Sequence, residues 1–321
     1  MKLSHFLSSL SVDLHSVGRA RAYSIYRSAV RRVIVFEGST GVTLKQVFNK
    51  AYLCRFERYL LGSEGLCRNT SSFYMNALRS LFREAVNRGK LADQSDLFSD
   101  VFTGSDPTEK RAVDAGVIAA VCTADLSCRP GLVVSRDMFE LSFLLHGMSF
   151  VDLVHLTKSE VLGSTIIYRR RKTGGVVVVP VNAEARKLLT RYASKQSGSP
   201  YALCLLDPDK DGVAVKYESL LRRHNRHLKA LGELLELGVS LTTYVARHSW
   251  ATIAYHNNVD MPAITESLGH RTETITRVYL TPFTNDHLWK ANQIVFDAVF
   301  RPKCKARAAT GRQKNGNVLR E

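Results

Sequence analysis

Apolar side chains recur every three or four residues through the first third of the chain, a spacing that predicts amphipathic helices. The helical period is clearest over residues 19–35, 44–61 and 69–89. The last of these runs stops at Gly89, a residue type common just past helix ends. We therefore predict an all-helical domain over residues 1–105, whose outer helix faces carry Arg27, Arg31, Arg79 and Arg83.

A polar passage from Thr103 to Arg111 follows, and its Gly, Ser, Asp and Pro content is typical of a linker. Beyond it, helical periods surround one β-rich segment, TIIYRRRKTGGVVVVPV, at residues 165–181. Its Thr-Gly-Gly turn admits positive φ and predicts a β-hairpin. The chain is thus predicted to be mainly α with a small β-hairpin or sheet. Its second domain, α+β, covers residues 106–300, and residues 301–321 form a basic, disordered tail.

Net charge points to a polyanionic partner. The sequence holds 45 Lys and Arg against 29 Asp and Glu, a formal net charge of +16. Such an excess favours nucleic acid. A membrane surface is the alternative, but no basic amphipathic helix with a bulky apolar face and no bilayer-spanning apolar run stands out. The N-terminal residues do not resemble a signal peptide. The six cysteines lack metal-ligand spacing, so we expect reduced thiols in a cytoplasmic protein.

The candidate chemistry is concentrated in one segment, YVARHSWATIAYHNNVDMPAITESLGHRTETITRVY, from Tyr244 to Tyr279. Arg247 sits in a predicted helix, His270 follows a Leu-Gly helix stop, and Tyr279 comes nine residues after that histidine. One continuous helix would put His270 and Tyr279 on opposite faces, so the glycine break is what lets them converge. Arginine, histidine and tyrosine around one point suit a phosphodiester attacked by a phenol. A capped core helix with an incidental surface tyrosine would explain neither Arg247 nor the spacing.

This arrangement resembles the C-terminal signature of the tyrosine recombinases, the phage-integrase family, which reads H-x-x-R-H, then L-G-H, then Tyr. The resemblance implies a helical core-binding domain followed by a catalytic domain. It makes Tyr279 the nucleophile of a 3′-phosphotyrosyl intermediate, with Arg247 and His270 on the phosphate. The family also carries a catalytic lysine in a β-hairpin, and Lys172 is the match. Tyr244 stands where the signature begins with histidine, so that position keeps a hydroxyl donor and loses an imidazole.

This chain departs from the family pattern at the first catalytic arginine, which the family carries in a G-L-R-x-S-E-L segment. The matching residues begin at Gly147, and Ser149 occupies the arginine position. The sequence G-M-S-F-V-D resembles a branch common in Bacteroides-group mobile elements, which often has arginine just before the glycine; here that residue is His146. We expect Arg170 to supply the missing guanidinium, because strand alternation places it on one face with Lys172.

Further basic residues are candidates for DNA contact. Strand alternation puts Arg169 and Arg171 on the other face of the hairpin. A long helix predicted over residues 217–237 adds further basic side chains. The complete DNA-binding set is Arg169, Arg171, His248, Arg222 and Arg226, with the four arginines of the first domain. For any single arginine a solvated surface position is the alternative. For residues 169–172 it is a general phosphate-gripping patch.

The resemblance therefore implies a site-specific DNA recombinase, acting as a homotetramer on double-stranded DNA with inverted-repeat core sites. It needs no cofactor or metal, and we expect it in the cytoplasm, associated with the nucleoid. A DNA-binding protein of the same fold that has lost its chemistry is the main alternative, and a type IB topoisomerase is a weaker one. Finding no room for an arm-binding domain before Arg19, we favour an invertase over an integrase. Apolar residues of a terminal helix, including Leu288 and Ile294, are expected to join protomers.

Overall fold

The computed structural model describes residues 1–16, 19–108, 110–208, 215–283 and 285–300. The predicted basic tail at 301–321 lies outside them. The chain divides into two compact units, Met1–Glu109 and Lys110–Glu321. Within the described ranges, no helix combines the length and the apolar character that crossing a membrane requires.

The first unit is helical, as the apolar period predicts. Its helices are α1 Leu3–Ser16, α2 Ala20–Glu37, α3 Leu44–Val47, α4 Lys50–Arg58 and α5 Arg68–Asn87, with a π-helical turn at Tyr59–Ser63. The predicted helix over 44–61 is broken, because Asn49 accepts the N–H groups of Ala51 and Tyr52 and so begins α4. Helix α1 was not predicted; its Phe6 and Leu10 are fully buried in the core of this unit.

The second unit surrounds a small sheet with helices. Its helices are α6 Ala115–Cys122, α7 Val133–Leu144, α8 Phe150–Val154, α9 Ala183–Arg191, α10 Tyr217–Leu234, α11 Thr243–His256, α12 Met261–Ser267, α13 Glu273–Arg277 and α14 Asn285–Phe300. Its strands are β1 Val161–Leu162, β2 Thr165–Arg169 and β3 Val176–Pro180. The three-stranded sheet has the order β1-β2-β3 with antiparallel neighbours. The mainly α fold with a small sheet is thereby confirmed.

The predicted hairpin is β2 and β3, with Ile167 opposite Val178. Tyr168 and Val177 face the core, while Ile167 and Val178 are exposed, as period-two alternation requires. Gly174 has φ of 71° in the connecting turn, which a side chain would oppose.

Strand alternation, however, does not apply to Arg170 and Lys172, because both lie beyond the end of β2. Strand β2 ends at Arg169, and residues 170–175 form the turn, closed by the Arg170 N–H donating to Gly175 O at 2.8 Å. Arg170 is buried, whereas Lys172 is exposed, so the two do not share a strand face. The turn, rather than the pleat, directs Arg170 inward.

Candidate functional site

Arg247 is the most deeply buried charged residue of the candidate site, with 2% of its surface exposed. Its Nη1 donates to Gly147 O at 2.8 Å, and its Nη2 donates to Leu268 O. These carbonyls belong to the loop after α7 and to the end of α12, so one guanidinium joins three segments. Burial foremost, and the positive charge of Arg170 next, lower the pKa of this guanidinium.

Gly147 is required at this point by its close approach to α11. Its φ is 67°, and a Cβ atom there would lie 2.7 Å from Arg247 Cα. Only glycine combines that backbone conformation with the space available. Gly147, the first residue of the G-M-S-F-V-D segment, therefore leaves the space in which Arg247 packs.

His270 and Tyr279 converge across the predicted glycine break. Helix α12 ends at Ser267, Gly269 has φ of 60°, and α13 begins after its N-cap Thr272. The ring centroids of His270 and Tyr279 are 4.9 Å apart. The expectation that the break brings the two side chains together is confirmed.

The hydrogen bonds of His270 determine its tautomer. Its Nε2 lies 3.1 Å from Arg247 Nη2, and its Nδ1 lies 2.9 Å from Thr276 Oγ1. A guanidinium can only donate, so Nε2 is the acceptor and Nδ1 carries the proton. Thr276 Oγ1 in turn is hydrogen-bonded to Thr265 Oγ1, 2.9 Å away. Burial first, then Arg247, Arg170 and Lys172, lower the pKa of His270 to about 3, which keeps it neutral.

Tyr279 is half-buried against a second histidine. The ring of His248 lies 4.4 Å from that of Tyr279, and its Nδ1 is 3.4 Å from the Tyr279 carbonyl. Burial lowers the pKa of His248, which makes it a neutral support for the tyrosine. Tyr244 is 42% exposed on the same helix, with its ring 6.3 Å from His248. The Arg247 guanidinium carbon lies 5.6 Å from the centre of the Tyr279 ring.

Arg170 enters the site from the hairpin turn. Only 6% of it is exposed, and its Nη1 donates to Gly269 O at 3.0 Å, the residue before His270. A Cβ on Gly269 would lie 2.6 Å from Arg170 Cδ and would collide with Val177. The hairpin and the Leu-Gly-His loop are therefore in direct contact, and Arg170 is a neighbour of Arg247 and His270.

Asp152 connects the Ser149 position to this hairpin. Its Oδ2 accepts from Ser149 Oγ at 2.6 Å and lies 3.9 Å from Arg170 Nε. Its Oδ1 accepts from the Arg171 N–H at 2.9 Å. Arg170 thus lies beside the serine that occupies the first-arginine position.

His146, the other residue considered for that position, has a different environment. It stacks on Trp250 with ring centroids 4.8 Å apart, and its φ is 56°. Burial lowers its pKa, so it is neutral and supplies no positive charge. Arg170, in contrast, brings a guanidinium to the site.

The remaining predicted residues lie at the surface or outside the cluster. Lys172 is exposed on the turn, yet its charge is felt by His270. Arg79 is half-buried, where it donates to Thr103 Oγ1 and lies over the Phe98 ring. The exposed positions are Arg27, Arg31, Arg83, Arg169, Arg171, Arg222 and Arg226.

Thr276 and Thr265 were not predicted to belong to the site. Thr276 is fully buried in a short segment whose neighbours are mostly exposed, and no motif or period distinguishes it. Among the described residues there is no group of three or more His, Cys, Asp or Glu side chains arranged to hold a metal ion.

Comparisons with known proteins identify relatives of this chain. The sequence profile described as "Phage integrase family" matches residues 117–285, more than half of the chain, and "Phage integrase SAM-like domain" matches residues 2–97. Tyrosine recombinase XerA of Thermococcus onnurineus is 32% identical over 91% of this chain and 94% of its own length. Tyrosine recombinase XerD of Pseudomonas aeruginosa is 22% identical over 86% of this chain and 91% of its own.

A solved structure shares the fold. The lambda integrase dimer bound to a COC′ core site superposes with a TM-score of 0.64 and 17% identity, over 87% of this chain and 95% of that one. The two profile matches and the XerA relative lead to one assignment. This chain belongs to the phage integrase family, the family of the tyrosine recombinases.

Proposed function

We propose that this chain is a site-specific DNA recombinase that cuts and rejoins DNA through a 3′-phosphotyrosyl link at Tyr279. The observation that carries the proposal is the meeting of Arg247, Arg170 and His270 beside a half-buried tyrosine. The named relatives are tyrosine recombinases, and the lambda integrase dimer is bound to a DNA core site. The net charge of +16 suits the same partner.

The two buried guanidinium groups have unused hydrogen-bonding capacity. The Nε atoms of Arg170 and Arg247 are both buried without a hydrogen-bond partner among the described residues. Two neighbouring cations are costly unless an anion joins them. The non-bridging oxygens of a phosphodiester supply that negative charge and accept from such N–H groups.

The chemical step then follows from the tautomer of His270. A phosphate that accepts from Arg247 Nη2 frees the Nε2 lone pair, which is 3.1 Å from that nitrogen in the structure. Its negative charge also offsets the charges of Arg247 and Arg170, which contribute to the lowered pKa of His270. Tyr279 Oη attacks phosphorus and passes its proton to Nε2, while the bond from phosphorus to the 5′ oxygen breaks. Lys172 on the exposed turn gives a proton to the leaving oxygen, and rejoining reverses each transfer.

Arg170 takes the place of the absent first arginine in this mechanism. Charge spreads over the equatorial oxygens of the transferred phosphoryl group, which a single arginine rarely stabilises enough. Arg170 Nε is 3.9 Å from Asp152 Oδ2, which also accepts from Ser149 Oγ, so its guanidinium lies near the position where the family has arginine. Strand alternation is not the reason for this placement, since the turn supplies it.

The nucleophile assignment is tested with a suicide duplex. A core site is first selected from a random duplex library with this protein, and a nick is then placed so that the cleaved end diffuses away. The wild-type protein should form a covalent adduct with this DNA, and Tyr279→Phe should form none. An adduct that persists in Tyr279→Phe contradicts the assignment.

A DNA-binding protein that has lost its chemistry is the second candidate. Ser149 and Tyr244 favour it, because each replaces a residue that the family uses in catalysis. The same suicide duplex separates the two, since an inactive protein would bind the selected site and leave no adduct.

We further propose assembly as a homotetramer on two inverted-repeat sites. Among the side chains of α14 that the structure describes, five large apolar ones are exposed: Leu288, Trp289, Ile294, Val295 and Phe296. Exposed apolar surface of this extent commonly marks an interface. Deleting residues 284–321 should spare binding to a single half-site and abolish recombination. Recombination at the wild-type level by the truncated protein would exclude this role for α14.

Finer assignments rest on the resemblance alone. We assign the chain to the Bacteroides-type branch because of Gly147-Met148-Ser149, with inversion or mobile-element integration as its reaction. Sequencing the DNA that flanks the gene would decide the latter: inverted repeats around a promoter support inversion, and element ends support integration.

A further inference from the structure

The residues that open the second unit lie against the tyrosine segment. Lys110 is the first residue of that unit, and its Nζ donates to Val278 O at 2.6 Å. Three residues on, the Val113 N–H donates to Ser249 Oγ at 2.9 Å, and Ser249 is fully buried beside Arg247. Residues 110–113 are therefore tied at both ends to the elements that hold the site.

The bond from Lys110 acts on the peptide plane that leads into Tyr279. The Val278 carbonyl and the Tyr279 N–H belong to one planar unit. The Tyr279 N–H donates to Thr276 O at 2.9 Å, and Lys110 holds the oxygen on the other side of the plane. With both polar groups fixed, the plane cannot rotate, and the direction in which Tyr279 leaves the backbone is set.

Other contacts on this segment are weaker. The Tyr279 carbonyl accepts from His248 Nδ1 and Thr252 Oγ1 at 3.4 and 3.3 Å, both near the limit for hydrogen bonds. Val278 itself is 58% exposed, so apolar packing holds it poorly. A charged donor at 2.6 Å is therefore a main restraint on the segment.

We propose that Lys110 is a positioning residue for the nucleophile: it fixes the Val278–Tyr279 peptide so that the tyrosine hydroxyl faces the phosphate. This inference rests on the proposed function and deepens it. Because Lys110 directly follows the boundary between the two units, the chain that joins them is also the chain that restrains Tyr279. The segment that leads out of the first unit is thus linked to the tyrosine segment by the Lys110 hydrogen bond.

A lysine near a phosphate can have two other roles, and each predicts a result that a positioning role does not. As a proton donor to the leaving oxygen, Lys110 would become dispensable when that oxygen is replaced by sulfur, because a thiolate leaves without protonation. As a DNA phosphate contact, its loss would weaken binding at all sequences and reduce the salt dependence of affinity. A positioning residue predicts neither effect.

The experiment compares Lys110→Met with Lys158→Met. Lys158 is also exposed and donates to a backbone carbonyl, that of Gln196, at 2.8 Å, so it is a matched control. Single-turnover cleavage is measured at saturating DNA with the suicide duplex and with its 5′-phosphorothiolate form. We expect Lys110→Met to slow adduct formation about tenfold on both duplexes, with unchanged half-site affinity. Lys110→Arg, which keeps a donor, should recover most of the rate.

Several results would overturn the inference. Equal rates of adduct formation for Lys110→Met and Lys158→Met would do so. So would a rate of Lys110→Met that returns to the wild-type value on the phosphorothiolate duplex, or a loss of rate that weaker DNA binding fully explains. An adduct that persists in Tyr279→Phe overturns the nucleophile assignment and this inference with it. An adduct lost in Tyr279→Phe but formed at equal rates by the two lysine variants overturns this inference alone.

Discussion

The second unit contains two buried ionic clusters that are built in opposite ways. Asp137 is fully buried, and its carboxylate accepts from Arg136, from Arg191 Nη1 at 2.8 Å and from the Tyr192 hydroxyl at 2.7 Å. Arg247 is almost as deeply buried, yet its acceptors are two neutral carbonyls and a neutral histidine. One cluster is closed by opposite charge, and the other is not.

The difference indicates what each cluster is for. In the first, every oxygen of the central carboxylate has a donor, which is the condition under which a buried charge is tolerated. In the second, Arg170 adds a further positive charge, and Asp152 balances it only at 3.9 Å. Within the described part of the chain, Arg247 has no carboxylate within ion-pair distance. A deficit of this kind costs stability in the free protein and is removed by a bound anion.

The largest expected effect comes from opening the closed cluster. Asp137→Asn removes the charge that two arginines share and leaves both uncompensated. We expect the free energy of unfolding of the second unit to fall by about 3–5 kcal/mol, measured by urea denaturation. The cleavage rate per folded molecule should not change. A loss below about 1 kcal/mol would show that this cluster is not structural.

The next effect comes from removing a charge from the open cluster. Arg170→Met keeps the length of the side chain and relieves the repulsion with Arg247, so stability should stay within about 1 kcal/mol of wild type. Single-turnover cleavage at saturating DNA should fall roughly a hundredfold, or about 3 kcal/mol.

The controls for that variant are its exposed neighbours. Arg169→Met and Arg171→Met should change salt-dependent DNA affinity and leave the chemical step intact. The comparison fails if Arg170→Met destabilises the protein as strongly as Asp137→Asn. If instead none of the three affects cleavage, the second clamp lies elsewhere, and Ser149→Ala becomes the variant to measure.

The smallest effect concerns pH. The folded-state pKa of His270 is lowered to about 3, below the ordinary value near 6.5, so the unfolded chain binds a proton that the folded protein excludes. The stability that this histidine contributes is present above pH 6.5 and is lost as the pH falls towards 3. Since the ring is partly exposed, we expect under about 1 kcal/mol between pH 7 and pH 5. His270→Gln should flatten this part of the stability profile; an unchanged profile would contradict the prediction.

The sequence predicted the parts of the site that local chemistry determines. A Leu-Gly stop followed by histidine, and a tyrosine in a new turn, can be recognised without tertiary information, and the structure confirms their convergence. The hairpin follows equally from its two β-rich runs and from Thr173-Gly174-Gly175. These features depend on residues that are adjacent in the chain.

Other features depend on contacts that no local pattern records. Arg170 is buried because the turn packs on Gly269, 99 residues away, and strand alternation gave the wrong reason for it. Thr276 looks like any exposed threonine until His270 is placed beside it. Helix α1 was overlooked because polar residues interrupt its apolar ones, although Phe6 and Leu10 still fall on one buried face.

The contact between Gly269 and the hairpin restricts how this chain can exchange segments with its relatives. With Arg170 Cδ at 2.6 Å from the missing Cβ position, and Val177 closer still, the surface of the loop and that of the hairpin must match. A chimera that takes its hairpin from one parent and its Leu-Gly-His loop from another would bring together two surfaces that never coexisted. Gene shuffling should therefore recover active progeny mainly when residues 170–177 and 268–270 descend from the same parent, although almost a hundred codons separate them.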